Sequence, residues 1–188
     1  YAISGFYKDF KNPIEKVIQN TDNEVQFKNV EEAVVYGVEF EVRKRLDQIA
    51  DFLSNFQIGS NLTFVDSKVD ISENELEIIR KFDADAESER ELAGQSPFIF
   101  NIDLAYQNYE YGTSVSLFYN IFGDRLSEIS MPGTPNVYER SRGILDLTMT
   151  QLLFDGLKLK LSAKNLLDSD IKKTHKFKGK EYIRYAYK

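Results

Sequence analysis

Asp103 and Asp146 are the residues of this chain best placed for chemistry, two carboxylates on separate alternating segments with apolar neighbours on either side. A carboxylate pair does acid–base work on a glycosidic bond when its members sit ~5–9.5 Å apart in one pocket. The plainer expectation is charge pairing with Lys158 or Lys160, or with another domain. His175 is the only histidine, and no cysteine accompanies it. A protein zinc site wants about four ligands, mostly of those two types, so no metal site is expected. The lack of cysteine also removes disulfides and thiol catalysis. There is no nucleophile–histidine–acid arrangement and no glycine-rich phosphate loop in the sequence. Neither enzyme activity nor a cofactor is expected.

Charge narrows the partners. The 188 residues carry 24 Lys+Arg against 30 Asp+Glu, a net charge of −6. Phosphate binding wants a basic surface, so nucleic acid is not an expected partner. The acid concentrates in Asp66, Asp70, Glu73, Glu75, Glu77, Asp83, Asp85, Glu87, Glu89 and Glu91. Such a loop suits a lid over a cationic or metal-bearing ligand. It lacks the D-x-D-x-D-G run of a calcium loop, so a solvated outer loop is the plainer expectation. The basic segment 172–180, KKTHKFKGK, suits an anionic head group or substrate, or simply a loop tip.

The elements that must carry these residues alternate with period two. In 157–164, LKLKLSAK, Leu157, Leu159, Leu161 and Ala163 share one face and Lys158, Lys160, Ser162 and Lys164 the other. The same pattern runs through 36–43, 56–64, 100–106, 114–121 and 145–150, with Phe118 breaking one polar face. With residues 1–10 and 181–188, about eight strands are expected, and short helical turns at 46–54 and 73–82. The breaks fall at 11–32, 46–54, 67–95, 107–112, 126–142, 152–156 and 166–180. They alternate long and short, so an up-and-down meander carries every long connection at one end. Outer-membrane barrels have that asymmetry.

A soluble one-faced sheet would show the same alternation. Three features favour lipid. Several strands exceed the usual ~5–6 residues and suit the ~9–11 of a tilted membrane strand. Aromatics gather towards strand ends, at Tyr7, Phe10, Tyr106, Tyr109, Tyr111, Tyr119, Phe122, Tyr182, Tyr185 and Tyr187. Loop length is asymmetric. No apolar run reaches the ~20 residues of a membrane helix, which excludes helical spans only. The fold class expected is therefore an all-β, antiparallel up-and-down transmembrane β-barrel. A Lys at the bilayer midplane costs ~2–4 kcal/mol, which turns Lys158 and Lys160 to the lumen. Glu39, Glu41, Arg43, Asp103 and Asp146 turn inwards by the same reasoning, and these seven are the candidate substrate-facing residues.

Several segments resemble TonB-dependent outer-membrane receptors. Tyr36-Gly37-Val38-Glu39-Phe40-Glu41 resembles their G-(V/A)-E-hydrophobic-E strand, and 118–125, FYNIFGDR, their strand ending in Gly-x-Arg. Leu145-Asp146-Leu147 resembles their "LD" strand, and Asn165-Leu166-Leu167-Asp168 a signature of their last strands. Ser96-Pro97-Phe98 opens a strand after a long polar loop, which also fits. The ordered set covers residues 29–168 and matches the final third of such a receptor. The loops look most like receptors of the Bacteroidetes group.

The resemblance implies a Gram-negative outer-membrane location and a plugged barrel of about 22 strands. It implies import of a scarce nutrient such as a siderophore, haem, cobalamin, a glycan or a peptide. Energy would come from the TonB complex through an N-terminal part, with a plug domain of the same parent chain. Lipid and lipopolysaccharide would surround the barrel; bridging divalent cations to that lipopolysaccharide is the alternative to a lid for the acidic loop. Neither a plug, a TonB box nor the family's aromatic-ended last strand is recognisable here. Residues 1–188 are accordingly expected to be a C-terminal barrel fragment. The opening YAISGFYKDF shows no signal peptide. A passive porin-like barrel and a soluble all-β small-ligand carrier are the alternatives.

Gly123 and Gly133 are expected to serve turns or strand ends, and Gly37 a bend or a close approach by a plug.

Overall fold

A computed structural model describes residues 1–18, 24–30, 32–130, 134–154, 156–177 and 180–187. The expected turn at Gly133 lies outside them. In chain order the strands are β1 (Ala2–Lys11), β2 (Ile14–Ile18), β3 (Val25–Asn29), β4 (Glu32–Arg45), β5 (Phe56–Asp70), β6 (Glu89–Arg90) and β7 (Phe98–Asn108). They continue as β8 (Thr113–Phe122), β9 (Arg125–Glu128), β10 (Val137–Glu139), β11 (Gly143–Phe154), β12 (Leu157–Ala163), β13 (Ile171–Phe177) and β14 (Lys180–Tyr187). One α-helix, α1 (Glu73–Arg80), and two 3-10 turns (Leu46–Gln48 and Asp51–Leu53) occupy the two stretches read as helical.

The large sheet has the order β1-β4-β5-β7-β8-β11-β12, with short β6 added beside β5. Every pairing in it is antiparallel. All long connections therefore leave from one end and all short ones from the other. Among the described residues β1 and β12 each pair on one side only, so the sheet is an open arc. Six of its seven long strands have ten or more residues.

The register makes two continuous faces. Val38 meets Phe64, Phe40 meets Leu62, Leu104 meets Leu117 and Met149 meets Leu161 on one face. Among the described residues nothing packs on that apolar face: Ile3, Val42, Phe64 and Leu161 are all at least half exposed. The tight turns at its lower end place Gly112 and Gly156 at positive φ, where glycine alone is unstrained. Aromatics edge that end, with Phe56 and Tyr106 in ring contact and Phe52, Tyr109, Tyr111 and Phe154 exposed.

One expected strand sits elsewhere. Residues 180–187 do not extend the large sheet. They pair with Ile171–Phe177, inside the segment read as a break, in a four-stranded sheet ordered β14-β13-β10-β9. The two segments are two residues apart in sequence, and such a hairpin is the easiest pairing to close. Tyr182, Tyr185 and Tyr187 thus belong to this second sheet. Tyr185 stacks on Tyr187 and lies under the Lys173 ammonium.

The buried side chains gather at the long-connection end. Ile18, Leu76, Leu126, Ile129 and Val137 are buried there with Ala33, Val35, Val69 and Phe122 from the adjoining strand ends. The long connections form a packed head, and among the described residues the sheet below it has no core of its own.

Candidate functional site

The polar face of the large sheet carries the seven candidate residues. Arg43 pairs with Gly59, Gly59 with Asp103, Asp103 with Phe118 and Phe118 with Asp146. Arg43, Asp103 and Asp146 therefore lie in one row across five strands. Asp103 and Asp146 are two strands apart, about 9.6 Å between backbones, with Phe118 standing between them. That separation and an intervening ring do not make a carboxylate pair.

The expected pairing of these acids with the lysines is not formed. Asp146 lies four residues along β11 from Thr150, which pairs with Lys160. That is about 14 Å along the strand, beyond ion-pair reach. Asp146 instead accepts a hydrogen bond from the Asn165 backbone N–H at 2.8 Å. Asp103 leans over Gly59: a Cβ there would lie 2.9 Å from its carboxyl carbon. Glu39 accepts from the Asn61 amide. Among the described residues Glu41, Arg43, Asp103, Lys158 and Lys160 make no ion pair within 4.0 Å.

One row nearer the head, Glu41, Asn61, Asn101 and Asn120 follow one another on four neighbouring strands. Asn120 donates to Asn101 at 2.7 Å, and Thr63 donates to Asn61 at 3.3 Å. This amide ladder was missed because the sequence reading singled out charges only. Its signal was present, since each Asn occupies a polar position of its alternating run. Gly37 makes a close approach within the sheet itself. A Cβ there would meet the Phe6 ring at 2.6 Å and the Phe64 carbonyl. Phe6 itself sits on the polar face, directly opposite Gly37.

The head is held by charge. Glu15, buried on β2, accepts two hydrogen bonds from Arg90, at 2.9 and 2.5 Å, and one from the Ala93 N–H. Glu128, buried on β9, receives Lys16 at 2.9 Å and Lys173 at 3.0 Å. Arg140 bridges Asp124 at 2.5 Å and Glu181 at 2.9 Å. Backbone bonds from Ile18 to Ile129 and from Gly94 to Leu126 join three long connections directly. Burial, with the Glu91 carboxylate beside it, pushes the Tyr138 phenol well above its ordinary range. Burial works to lower the Lys173 ammonium, but bonds to Tyr185 and Glu128 outweigh it and raise that group.

The acidic and the basic segment of the long connections can both be placed. His175 lies within β13, and its Nδ1 is 2.7 Å from the Pro135 carbonyl oxygen; the turn that would be the loop tip, 178–179, lies outside the described residues. The acidic segment is largely exposed, with Glu75 and Asp83 half-buried. Asp66 accepts from the Tyr36 hydroxyl at 2.5 Å, and Glu89 pairs with Lys68 at 2.7 Å. Glu75, Asp83, Glu87 and Glu89 line a cleft of the head. Among the described residues no three His, Cys, Asp or Glu side chains group to hold a metal ion.

The geometry agrees with comparisons to known proteins. A family model described as "TonB dependent receptor-like, beta-barrel" matches residues 1–166. Among solved structures, the copper transporter OprC superposes with a TM-score of 0.59 at 16% identity, over 91% of this chain and 23% of that one. The ferric-catecholate import receptor Fiu of E. coli K12 gives 0.53 at 18%, over 90% and 21%. A mutant of the ferric enterobactin receptor PfeA of Pseudomonas aeruginosa gives 0.55 at 21%, over 89% and 23%. The likeness shows the fold, and this chain spans less than a quarter of each of those chains. Among curated proteins none matches.

Proposed function

The chain belongs to the TonB-dependent receptor β-barrel family, and on that premise we propose that residues 1–188 are the C-terminal part of such a receptor's barrel. Members of that family are outer-membrane receptors and transporters of Gram-negative bacteria and not enzymes. The parent protein takes up a scarce nutrient across the outer membrane, driven by the TonB complex through a part of the parent outside this chain. A plug domain of the same parent faces the polar side of the sheet. Lipid meets the apolar side, and lipopolysaccharide surrounds the head.

The observation that carries this reading is the pair of faces. Among the described residues an apolar face seven strands wide stays uncovered while the opposite face carries amides and charges. Water would penalise the first by ~25 cal/mol for each Å² of apolar surface. Lipid removes that penalty and penalises only a sheet facing the other way. The unpaired charges Glu41, Arg43, Asp103, Lys158 and Lys160, with Glu39 and the amide ladder, then meet water, the plug or the passing substrate. Asp146 differs, because its carboxylate shapes the end of β12.

Cell fractionation with an antibody to this chain tests the reading. The expected result is an outer-membrane band far larger than a 188-residue chain, running faster unheated than boiled. A soluble band of about this chain's own size overturns it.

A further inference from the structure

One cleft of the head has chemistry that the barrel reading leaves unused. It lies among α1, residues 83–90 and the arms 129–130 and 134–138, and encloses about 360 Å³. That is the size of a small-molecule site. Glu75, Asp83, Glu87 and Glu89 line it, against an apolar wall that includes Ile79 and Phe82. Among the described residues Arg90 is the only cation on the lining, and its guanidinium is engaged by buried Glu15. Lys68 offsets Glu89. Among the described residues Glu75, Asp83 and Glu87 form no ion pair.

A second observation is independent of the acids. Ser130 lines the same cleft, is 5% exposed, and its Oγ has no hydrogen-bond partner among the described residues. A buried hydroxyl left unsatisfied costs ~1–3 kcal/mol, which a ligand group bonded to it recovers. The carboxylates do not converge as a metal cage would require. Charge spread along an apolar wall, with an exposed phenyl ring at Phe82, suits an extended cation better than a bare ion.

We propose that this cleft binds an amphiphilic organic cation, an ammonium or guanidinium head on an apolar body. Glu75, Asp83 and Glu87 meet the head, Ile79 and Phe82 take the body, and Ser130 bonds a polar group between them. This rests on the reading of the chain as the outward end of an uptake receptor, and it gives that receptor a cationic class of ligand.

The test uses the full-length receptor that carries this chain, purified in detergent. The probe is a fluorescent, N-acetylated Lys-Phe-Lys amide, followed by polarisation. The same peptide with both lysines acetylated is the neutral control. The charged peptide is expected to bind at least tenfold more tightly than the neutral one. Combining Glu75→Gln, Asp83→Asn and Glu87→Gln should abolish that preference. Ser130→Ala should weaken both peptides several-fold. Glu77→Gln, on the same helix but off the lining, should change neither. Equal binding of the two peptides, or an undiminished preference in the triple variant, overturns the proposal. Heat-shifted migration of the same preparations separates the two readings. If it is present without cation preference, only the cleft assignment fails. If it is absent, the receptor reading fails as well.

Discussion

The Asp146 carboxylate receives the Asn165 backbone N–H at 2.8 Å, so the "LD" strand and the Asn-Leu-Leu-Asp turn hold each other. Asn165 and Asp168 both sit at positive φ, and the Asn165 side chain exchanges hydrogen bonds with the Ser169 backbone. Leu166 N–H bonds the Leu145 carbonyl beside them. The two sequence features are thus one structural unit that ends β12 and turns the chain into the head.

Asp146→Ala leaves the Asn165 N–H without its charged acceptor and should destabilise the barrel by about 1.5–3 kcal/mol. Asp146→Asn keeps an acceptor and should cost less. The readout is the temperature at which the receptor loses its fast-migrating form. Equal behaviour of the alanine variant and the parent would contradict this role.

The Glu15–Arg90 pair joins the first two long connections and is nearly inaccessible, with side chains 1% and 14% exposed. Arg90→Met strands a buried carboxylate and should destabilise the head by ~3–5 kcal/mol. The double variant Glu15→Met/Arg90→Met should recover most of that. Protease cleavage within 12–31 or 71–97 reports it, rising sharply in the single variant and much less in the double.

Two glycines of the polar face should respond differently to the same methyl group. Gly37→Ala drives a Cβ into the Phe6 ring and the Phe64 backbone carbonyl, and it should sharply reduce the assembled receptor in the membrane. The closest contacts of a Cβ in Gly59→Ala are all with the Asp103 carboxylate, which can swing away, and this variant should assemble nearly normally. Immunoblots of outer-membrane fractions compare them.

Alkali should loosen the head before the sheet. Tyr138 and Lys173 both hold their protons more tightly when folded than when unfolded. Their contribution is therefore complete below their ordinary values near pH 10 and is lost as pH rises through the raised folded values. Tyrosinate absorbance should show Tyr138 titrating last, with that step missing in Tyr138→Phe. Protease sensitivity of the head should rise over the same range.

The strand pattern was legible because each long strand has a wet side and an oily side, which period two records directly. Leu157, Leu159 and Leu161 against Lys158 and Lys160 are the plainest instance. The head was not legible. Its ties, Glu15 to Arg90 and Glu128 to Lys16 and Lys173, join residues 45 to 112 positions apart. In the sequence such charges look like ordinary solvated loop residues. Residues 181–187 misled for a related reason: alternation identifies a strand but not its neighbour. The candidate site was legible as a face, and Asp146 shows that a shared face does not imply a shared role.

The central claim is that the leucine side of β12 faces lipid, and spin labels along that strand test it most directly. The chain has no cysteine, so single substitutions at 157–162 place the label one residue at a time. In bilayers, labels at 157, 159 and 161 should relax with dissolved oxygen, and those at 158, 160 and 162 with a water-soluble nickel chelate. Positions 157, 159 and 161 closed to both reagents would mean a protein core behind the leucines and would contradict the membrane reading.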